Sequence, residues 1–422
     1  MTFCCTFASG RRTIDLLLDR RVITAEISKE TPLPNRPEDA LAAPCESPLL
    51  RFLARQVSDI VVILPDATRA WQNVPFMAQA LRREIREGGR MSVKWVIGGG
   101  QHRLPTAKEI KMLLEDIPLR GDSILCHNSA EGVRTKEITS RGTPVILHQA
   151  VARADLIVSA GGIAYHDLAG FSGGRKSILP GASGSEAIQH NHALSLKGSN
   201  FDPAVGCGYL KGNPVAEDMA EYQSLVLAER KGFLLNVIPD GKGNPYCYTA
   251  GDPVRAWLQG TVWAQELQTL WVSEKASLVA VSCGGYPYDI DLYQATKSIS
   301  AVLHALEPKG GLLLFAELED GAGPGSFGED FRLAIEQPEA ALGKLQDNFT
   351  IPAYIATKMA SDLKSHPAAL VTDRTDMVFP GKIFADGSKA LQWLKKQIPP
   401  GPVLCVPAGN CVTIKAKERN TI

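Results

Sequence analysis

The residues best suited to chemistry lie close together in the stretch HDLAGFSGGRKSILPGASGSEAIQHNHA, which runs from His166 to Ala193. It begins with a histidine, continues through a glycine pair to Lys176, and ends with His190 and His192. Glycine turns bind phosphate through backbone amides, whereas histidines bind metals or transfer protons near neutral pH. The stretch therefore predicts a site that holds an anionic group beside a metal or a proton-transfer centre.

The glycine loop GFSGGRKS is similar to the phosphate loop G-x-x-x-x-G-K-S, but Arg175 stands where the last glycine should be. What remains is a glycine turn, formed by Ser172, Gly173 and Gly174, whose backbone amides could still hold a phosphate. Lys176 would lie beside that phosphate, either as a charge or as a covalent nucleophile. The loop thus predicts phosphate binding without predicting a nucleoside triphosphatase.

The two histidines at the end of the stretch belong to a predicted helix, SGSEAIQHNHAL, with Ser183 or Ser185 as its N-cap. His190 and His192 are two residues apart and therefore point to different faces of that helix. Only one of them can face the site easily, and one histidine alone makes a poor metal site. If a metal binds here, we expect its other ligands to come from elsewhere, such as a cofactor.

Further polar residues follow the predicted strands of a repeating strand–helix pattern. Apolar runs such as DIVVILPD, VKWVIGGG and ADLIVSAGG are typical of buried parallel strands. In open α/β sheets ligands bind beyond the carboxyl ends of the strands, so polar residues at several such ends predict one shared cleft. The polar residues that follow four of the predicted strands are Asp66, Arg69, His102, Arg103, His166, Tyr293, Gln294 and Lys297.

Each of these residues also has an ordinary structural explanation. Asp66 could cap a helix or form a loop salt bridge with Arg69, and His102 could be a solvated loop histidine. His166 could cap the following turn, and Lys297 could be a surface lysine on a helix. The coincidence of polar residues at four strand ends is what favours the functional interpretation.

The predicted elements place these residues in an α/β fold. Two strand–helix sets, the second beginning near residue 275, predict two βα domains with mainly parallel sheets and the active site in the interdomain cleft. We expect an N-terminal cofactor-binding and catalytic domain at 1–270 and a C-terminal α/β domain at 271–422, whose last residues could pack back on the first domain. Residues 11–28 predict two short strands, and Thr106 with Glu109 predicts a capping box.

Composition and charge limit the class of protein. The chain has 422 residues, zero formal net charge, 45% hydrophobic and 21% charged residues, which suits a globular protein with a small ligand rather than nucleic acid. The nine cysteines are scattered without a C-x-x-C pair, so they do not predict a zinc or iron–sulfur site. The N-terminus is too short and polar for a signal peptide, and no apolar run approaches the roughly 20 residues that span a bilayer. We therefore expect a cytoplasmic protein without a membrane partner.

Taken in order, the motifs PDATR, GGGQHR, HDLAGFSGGRKSILPG, QHNH and YQATK resemble the nickel-dependent lactate racemase family. The resemblance extends from about residue 55 to about residue 300, and the ordered set is specific although no single motif is. It implies a nickel-pincer nucleotide, a pyridinium-3-thioamide-5-thiocarboxylic acid mononucleotide that holds nickel through sulfur, carbon and sulfur. By match, Lys176 looks like the lysine of the thioamide tether. His192, rather than His190, looks like the fourth nickel ligand, and the glycine loop would serve the nucleotide phosphate.

The resemblance also implies a reaction. A 2-hydroxy acid loses its Cα hydrogen as hydride to the cofactor while a base takes the hydroxyl proton, and the hydride then returns on the other face. The implied proton-transfer groups, one for each enantiomer, are His102 and His166. Asp66 would contact the cofactor or orient Arg69. The residues implied to bind the substrate carboxylate and the intermediate are Arg69, Tyr293, Gln294 and Lys297.

The same resemblance implies partner proteins, because synthesis of the cofactor needs separate carboxylating, sulfur-inserting and nickel-inserting proteins. Two other classes of function stay open. One is a phosphate-loop, nucleotide-dependent transferase, against which Arg175 and the lack of a convincing magnesium-binding aspartate speak. The other is a non-catalytic protein that binds a hydroxy acid or the cofactor, against which the two candidate histidines speak. Whether the substrate is a small aliphatic, an aryl or a sugar acid is left open.

Overall fold

Two compact units make up the chain in the computed structural model, which describes residues 3–23, 25–27, 31–114, 117, 120–374 and 376–416. The inserted unit comprises Glu30–Ser195 and Asp202–Leu267. The terminal unit comprises Met1–Lys29, Leu196–Phe201 and Gln268–Ile422. Each unit contains a six-stranded sheet, and the predicted α/β fold with two domains and mainly parallel sheets is confirmed.

The strands of the described residues are β1 (Phe3–Ser9), β2 (Arg12–Leu18), β3 (Val22–Ile23), β4 (Glu26–Ile27), β5 (Ile60–Leu64), β6 (Lys94–Ile97), β7 (Ser123–Cys126), β8 (Val133–Ile138), β9 (Pro144–Leu147), β10 (Leu156–Gly162), β11 (Tyr165–His166), β12 (Gly170–Phe171), β13 (Leu196–Lys197), β14 (Asn200–Phe201), β15 (Lys231–Pro239), β16 (Pro245–Gly251), β17 (Thr269–Val272), β18 (Ala276–Ser282), β19 (Leu306–Phe315), β20 (Ala368–Val371), β21 (Lys382–Phe384), β22 (Val403–Val406) and β23 (Thr413–Ala416).

The α-helices of the described residues are α1 (Pro37–Ala42), α2 (Leu50–Arg55), α3 (Val74–Glu87), α4 (Ala107–Leu114), α5 (Gln149–Arg153), α6 (Ser185–Ala193), α7 (Pro214–Leu227), α8 (Arg255–Gln268), α9 (Leu292–Val302), α10 (Phe327–Glu336), α11 (Pro338–Asp347), α12 (Ile351–Leu363) and α13 (Gly387–Lys395). Short 3₁₀ helices occur at Ala67–Gln72, Gly174–Ser177, Leu303–Ala305 and Gly409–Cys411. None of the helices in the described ranges combines the length and the apolar character that crossing a bilayer requires.

The sheet of the inserted unit has the strand order β16-β15-β10-β5-β6-β7. Its strands are parallel except for β16, which forms an antiparallel hairpin with β15. The strands β5 and β10 are buried along their whole length, because apolar clusters cover both faces of the sheet. One cluster includes Leu81 of α3, and the other includes Trp257 of α8. The carboxyl ends of β6, β5 and β10 therefore lie side by side at one edge.

The sheet of the terminal unit has the order β21-β20-β19-β18-β22-β3, and all its neighbouring strands are parallel. Its central strand β18 is fully buried, with α9 on one face and the β1–β2 hairpin and α13 on the other. A second sheet, β23-β17-β4, joins both ends of the chain. This arrangement uses the first residues of the chain as structural parts of the terminal unit.

The structure differs from the predicted domain division in the first 29 residues, which belong to the unit formed by the C-terminal residues. The strand β3 pairs with β22, and β4 pairs with β17. These long-range pairings, rather than proximity in sequence, place the first residues in the terminal unit. The sequence predicts two short strands in residues 11–28; the described part of this stretch has three, β2, β3 and β4, and β2 pairs with β1, which precedes it. At the other boundary, Gln268 lies close to the predicted residue 270.

Candidate active site

The predicted site residues of the inserted unit occupy three neighbouring loops at the carboxyl edge of its sheet. Asp66 and Arg69 follow β5, His102 follows β6, and His166 and Lys176 follow β10. Because β6, β5 and β10 are adjacent and parallel, the three loops meet at the same edge. The residues that follow these three strands therefore lie along one edge of the sheet, and their common cleft stays a prediction.

The glycine run after β6 allows two of these loops to approach each other closely. A Cβ atom on Gly98 would lie 2.9 Å from the carbonyl oxygen of Gly181, so a side chain there would displace backbone. The N–H of Gly100, whose φ is +57°, donates to the same oxygen at 3.0 Å. The loop that carries His102 is therefore fixed against the segment that follows Lys176.

The side chains of Asp66 and His102 form a hydrogen-bonded pair in the site. The Asp66 carboxylate caps the 3₁₀ helix Ala67–Gln72, accepting from the N–H and the hydroxyl of Thr68 through Oδ1 at 3.1 and 2.5 Å. Its other oxygen, Oδ2, lies 2.6 Å from His102 Nδ1. Burial raises the pKa of Asp66, but hydrogen bonds from His102 and Thr68 and the charge of Arg69 outweigh burial, and the pKa is lowered. Asp66 is buried and His102 about half exposed, so the carboxylate orients an imidazole that solvent can reach.

His166 is oriented differently. Its Nδ1 atom accepts hydrogen bonds from the N–H groups of Leu168 and Ala169, at 3.2 and 3.3 Å. This is the turn-capping role that the sequence left open for His166. An imidazole nitrogen that accepts two N–H groups carries no proton, so the neutral ring has its proton on Nε2.

The glycine turn 172–174 directs much of its polar surface into the protein. The Ser172 hydroxyl donates to the carbonyl of Gly162 at 2.7 Å and accepts from the N–H of Ala164 at 2.9 Å. The N–H of Ser172 donates to the carbonyl of Ala164, and the N–H of Gly174 donates to Asn236 Oδ1 at 2.9 Å. Two of the three amides that the sequence assigned to a phosphate, those of Ser172 and Gly174, therefore bind within the protein and fix the turn that presents Lys176.

Lys176 lies in the 3₁₀ helix Gly174–Ser177, and although part of the residue is exposed, its amine is buried. Burial, followed by the charges of Arg69 and Arg175, lowers the pKa of its amine to about 7. A substantial fraction of this amine is therefore unprotonated near neutral pH, unlike a lysine in water. An unprotonated amine is a nucleophile, so this lowered pKa is compatible with covalent chemistry at Lys176.

His192 and His190 have opposite environments on α6. The His192 ring is 2% exposed, and burial together with the charge of Lys176 lowers its pKa to about 3. Its Nδ1 has no hydrogen-bond partner among the described residues. His190 is exposed, and its Nδ1 lies 3.0 Å from the hydroxyl of Thr143, which donates to Asp218. His192 thus has a buried, neutral ring close enough to Lys176 to feel its charge, whereas His190 faces the protein surface.

The helix α6 does not begin as the sequence predicted. Its N-cap is Gly184, without a side-chain cap, whereas Ser183 donates its hydroxyl to the carbonyl of Ile178. The helix is instead held near its end by Asn191, whose amide donates to Asp218 at 2.8 Å and to the carbonyl of Val215 at 3.1 Å. This anchoring of the residue next to His192 limits the movement of the imidazole.

The remaining predicted residues, Tyr293, Gln294 and Lys297, lie on α9 of the terminal unit. The N–H of Gln294 is capped by Asp291 at 2.6 Å, and the Lys297 amine donates to Gln294 Oε1 at 2.5 Å. Tyr293 packs edge-on against Phe327, with ring centroids 5.4 Å apart. Lys297 is exposed, whereas Tyr293 and Gln294 are half-buried, and the contact of all three with substrate stays a prediction.

Sequence reasoning missed two residues that shape the site, Asn236 and Trp257. Asn236 on β15 accepts from the N–H of Gly174 and donates to the carbonyl of Gly161, at 2.9 and 3.1 Å. Trp257 donates to the carbonyl of Ser172 at 3.0 Å and stacks under Arg175 at 4.2 Å from its ring centroid. Both belong to distant parts of the chain, and a lone asparagine or tryptophan carries no motif that could have revealed this role.

Family comparisons agree with the motif order in the sequence. A model described as the lactate racemase N-terminal domain matches residues 10–202, and one described as the lactate racemase C-terminal domain matches residues 272–378. Together the two matches cover more than half of the chain. The first contains all the predicted site residues of the inserted unit, and the second contains α9.

Comparisons with individual proteins point the same way. The chain is 29% identical over 372 residues to a lactate racemase of Thermoanaerobacterium thermosaccharolyticum, covering 84% of each chain. It is 29% identical over 389 residues to a lactate racemase of Lactiplantibacillus plantarum, covering 86% of this chain and 89% of the relative. The structure of the T. thermosaccharolyticum lactate racemase apoprotein matches 98% of this chain and 100% of its own, with a TM-score of 0.87 and 27% identity.

A crystal structure of a protein from Thermotoga maritima matches 92% of this chain and 100% of its own, with a TM-score of 0.67 and 16% identity, and shares the fold. The expectation of an isomerase related to lactate racemase is confirmed by the two family models, the two relatives and the apoprotein structure. The ordered motifs, the paired domain matches and the shared fold lead to one conclusion: the chain belongs to the lactate racemase family.

Proposed function

We propose that this protein is a racemase or epimerase that inverts the Cα of a 2-hydroxy acid such as lactate. The observation that carries the proposal is the buried pair of Lys176 and His192. One offers an amine whose pKa is lowered to about 7, and the other offers an imidazole whose pKa is lowered to about 3. Such a pair suits a cofactor that is both attached to lysine and bound through a metal to histidine.

The pair fits the nickel-pincer nucleotide that the resemblance implies. An unprotonated amine at Lys176 can form the amide-type bond of the tether, and His192 can donate a nitrogen lone pair to nickel. Within the described ranges no three His, Cys, Asp or Glu side chains gather as a metal site. A metal at His192 would therefore depend on donors that the cofactor brings. When bound, this cofactor supplies a carrier that accepts a hydride from the substrate and returns it.

The chain's own residues would bind the substrate and handle its proton. His102, oriented by Asp66 at 2.6 Å, offers Nε2 to the substrate hydroxyl. Arg69 adds a cation beside Lys176 and Asp66, as its effect on both their pKa values indicates, and suits a carboxylate. His166 would be the second proton-transfer group, so that each enantiomer has one histidine.

The proposed substrate contacts from the terminal unit are those of Tyr293, Gln294 and Lys297. The Lys297 amine is a compact cation on an exposed helix surface, which suits a carboxylate ligand. We also retain two expectations from the resemblance and the sequence. The cofactor would be made by carboxylating, sulfur-inserting and nickel-inserting proteins, and the protein would act in the cytoplasm.

The phosphate-loop alternative has less support from the site. The N–H groups of Ser172 and Gly174 are engaged inside the protein, and Arg175 stacks on Trp257. A nucleoside triphosphate would need such amides to face it. The non-catalytic alternative is opposed by the Asp66–His102 pair, since a binding protein has no need of an oriented proton acceptor.

The test of the proposal is the intact mass of the denatured protein after co-expression with the three cofactor-making proteins. We expect an added mass equal to the pincer nucleotide in the wild-type protein and none in Lys176→Ala. The matched control is Lys211→Ala, an exposed lysine of the same unit, which should keep the adduct. The loaded wild-type protein is then incubated with single enantiomers of 2-hydroxy acids, and formation of the opposite enantiomer is followed by chiral chromatography.

Two results would contradict the proposal. An adduct retained in Lys176→Ala would move the tether to another residue. Absence of any adduct, in a host where a lactate racemase from another organism becomes loaded, would exclude this cofactor for the chain. Binding of a nucleoside triphosphate by that same unloaded protein would favour the phosphate-loop alternative.

A further inference from the structure

Two cysteines from opposite ends of the sequence pack against the same apolar cluster of the terminal unit. Cys5 lies on β1 and Cys405 lies on β22. Both are partly buried against the cluster that the β1–β2 hairpin, the main sheet and α13 form together. All nine cysteines of the chain are free thiols in the structure. Folding therefore brings two free thiols into one apolar layer.

Both thiols point into the layer between the hairpin and the sheet. Side chains alternate along a strand, so residues two apart share a face. Cys5 shares the inner face of β1 with Phe7, whose ring stacks on that of Phe315 with centroids 4.5 Å apart. Cys405 shares a face of β22 with Val403, which is a buried member of the same cluster. The hairpin and the sheet thus contribute one cysteine each to this layer.

The strand β1 lies over β18 in a defined register. The hydroxyl of Ser282, at the end of β18, donates to the carbonyl of Ala8 at 2.5 Å. Further along both segments, the N–H of Tyr286 donates to the carbonyl of Gly10 at 2.8 Å. Because the residue numbers increase in the same order at both contacts, β1 and β18 run in the same direction.

This register brings the two cysteines to the same level of the layer. Cys5 lies three residues before Ala8 on β1. Cys405 pairs with Ala280 of β18, which lies two residues before Ser282. Burial raises the pKa of the Cys405 thiol, and a hydrogen bond with Cys5 and the charge of Cys5 raise it further. The two thiols therefore interact directly with each other.

The layer also suits a disulfide. Sheets that pack face to face lie about 10 Å apart, and a disulfide joins the two sheets of antibody domains across such a gap. Cys5 and Cys405 are both partly exposed, so a small oxidant in solution can reach them. The raised pKa of Cys405 keeps it mostly in the thiol form, which assigns the first attack on an oxidant to Cys5.

We propose that Cys5 and Cys405 form a site of reversible oxidation, where a low-molecular-weight disulfide such as oxidised glutathione converts the two thiols into one disulfide. The Cys5 thiolate attacks one sulfur of the oxidant and releases a glutathione thiolate. The Cys405 thiolate then attacks the Cys5 sulfur of the mixed disulfide and releases the second glutathione. The two electrons of the protein thiols reduce the S–S bond of the oxidant, and the two thiol protons end on the released glutathiones.

The disulfide fastens the β1–β2 hairpin to β22 of the main sheet. The turn of this hairpin holds the loop that leads into α9, because the N–H of Gly10 donates to Asp289 Oδ2 at 2.6 Å. A cross-link between the two ends of the chain also removes much of the conformational freedom of the unfolded terminal unit. We therefore expect the oxidised form to resist unfolding of the hairpin and of this loop.

The site is tested on the full-length protein by peptide mapping after oxidation. The protein is incubated with oxidised glutathione, its remaining thiols are blocked, and it is digested with trypsin in the absence of reductant. Trypsin releases residues 1–11, which contain Cys5, and residues 397–415, which contain Cys405. We expect mass spectrometry to find these two peptides joined, and to find them separate after a reductant is added. Absence of the joined peptides from the oxidised wild-type protein would overturn the proposal.

Each of these peptides contains a second cysteine, which provides a matched control. Cys4 neighbours Cys5 but is exposed on the outer face of β1, and Cys411 packs against the apolar cluster on the other face of the main sheet. Cys4→Ser and Cys411→Ser should therefore keep the link, whereas Cys5→Ser and Cys405→Ser should lose it. A link that persists in Cys5→Ser or in Cys405→Ser would assign it to a neighbouring cysteine and overturn the proposed pair.

The restraint on the hairpin is tested by thermal unfolding of the oxidised and the reduced protein. We expect oxidation to raise the melting temperature of the terminal unit by about 5 °C or more, since a disulfide commonly stabilises a domain of this size to that extent. Cys405→Ser should show no difference between oxidising and reducing conditions, whereas Cys4→Ser should keep the difference. Equal melting temperatures for the cross-linked and the reduced wild-type protein would overturn the proposed restraint.

Discussion

The two units of this protein have the same kind of sheet but different chemistry at the polar residues that follow their strands. In the inserted unit, Lys176 and His192 are removed from water, and their pKa values are lowered to about 7 and about 3. In the terminal unit, Lys297 is on an exposed helix surface and donates to Gln294 on the same helix. A lysine that follows a strand thus has a buried amine in one unit and is exposed in the other.

The buried basic groups of the inserted unit and the exposed lysine of the terminal unit suit different kinds of ligand. Burial of an amine or imidazole destabilises its charged form. This cost is offset when a ligand binds the neutral form. The inserted unit therefore suits a permanently attached group. An exposed lysine keeps its charge and its hydration, which suits a carboxylate that must bind and leave in every turnover.

The strongest test of the comparison is metal retention in two histidine variants of the inserted unit. His192→Ala should reduce nickel retained after desalting by at least about 100-fold, because it removes the protein's only proposed ligand. His190→Ala removes an exposed ring that contacts Thr143 and should leave nickel content unchanged. Nickel is measured by inductively coupled plasma mass spectrometry on protein whose adduct mass is determined in parallel.

The control within this test is the adduct itself, which both variants should retain through Lys176. A loss of nickel from His190→Ala with retention in His192→Ala would assign the ligand to the exposed histidine. It would also remove His192 from the buried groups that the comparison sets against the exposed Lys297.

A smaller effect is expected at the terminal unit. Lys297→Ala should raise KM for the 2-hydroxy acid by about 10- to 100-fold, since hydrogen bonds to charged groups contribute roughly 1.5–3 kcal/mol. The adduct mass should not change, because the lysine does not belong to the buried pair. Lys389→Ala, at another exposed lysine of the same unit, serves as the control. An unchanged KM would mean that Lys297 is an ordinary surface lysine of α9.

The smallest expected effect concerns the stability of the protein without cofactor. His192 has a pKa of about 3 when folded and 6.5 as its ordinary value, so below pH 6.5 the unfolded chain binds a proton that the folded chain does not. The free energy of unfolding therefore decreases as the pH is lowered, and this histidine accounts for a decrease of about 1 kcal/mol between pH 6.5 and pH 5.5. In His192→Gln this contribution should be absent. Urea unfolding of both proteins at the two pH values measures the difference, and equal losses would show that His192 is not buried as a neutral ring.

Much of the fold could be predicted from the sequence because the buried strands are continuous apolar runs. The predicted strands DIVVILPD and ADLIVSAGG correspond to β5 and β10. The Thr106–Glu109 capping box is present, with mutual hydrogen bonds at 2.7 and 3.3 Å. Such features depend on local patterns, which a sequence shows directly.

Features that depend on distant pairing could not be predicted in this way. The strands β3 and β4 are two residues long and acquire their place only from β22 and β17. Nothing in a two-residue segment identifies a partner almost 400 residues later in the sequence, and so the first residues were assigned to the wrong neighbours.

In the site, too, features that depend on residue spacing could be predicted, whereas features that depend on contacts made in the fold could not. The types and spacing of His190 and His192 predicted that they face different sides, and the structure places them so. The two hydrogen bonds to His166 Nδ1 depend on the backbone of the following turn, and the amides of the glycine loop are used by Asn236 and Ala164. Residue type identified these groups as candidates, but only the three-dimensional arrangement shows which way their protons point.

The discontinuity of the terminal unit has a consequence for biosynthesis. Its edge strand β3 and the β1–β2 hairpin are made first, yet their partners β22 and β18 follow only after the whole inserted unit has left the ribosome. The inserted unit, which is nearly continuous in sequence, can complete its sheet during translation. A fragment beginning at residue 271 would lack one edge of its main sheet and part of the apolar layer below it. The unit that holds the buried lysine and histidine can therefore form before the terminal unit is complete.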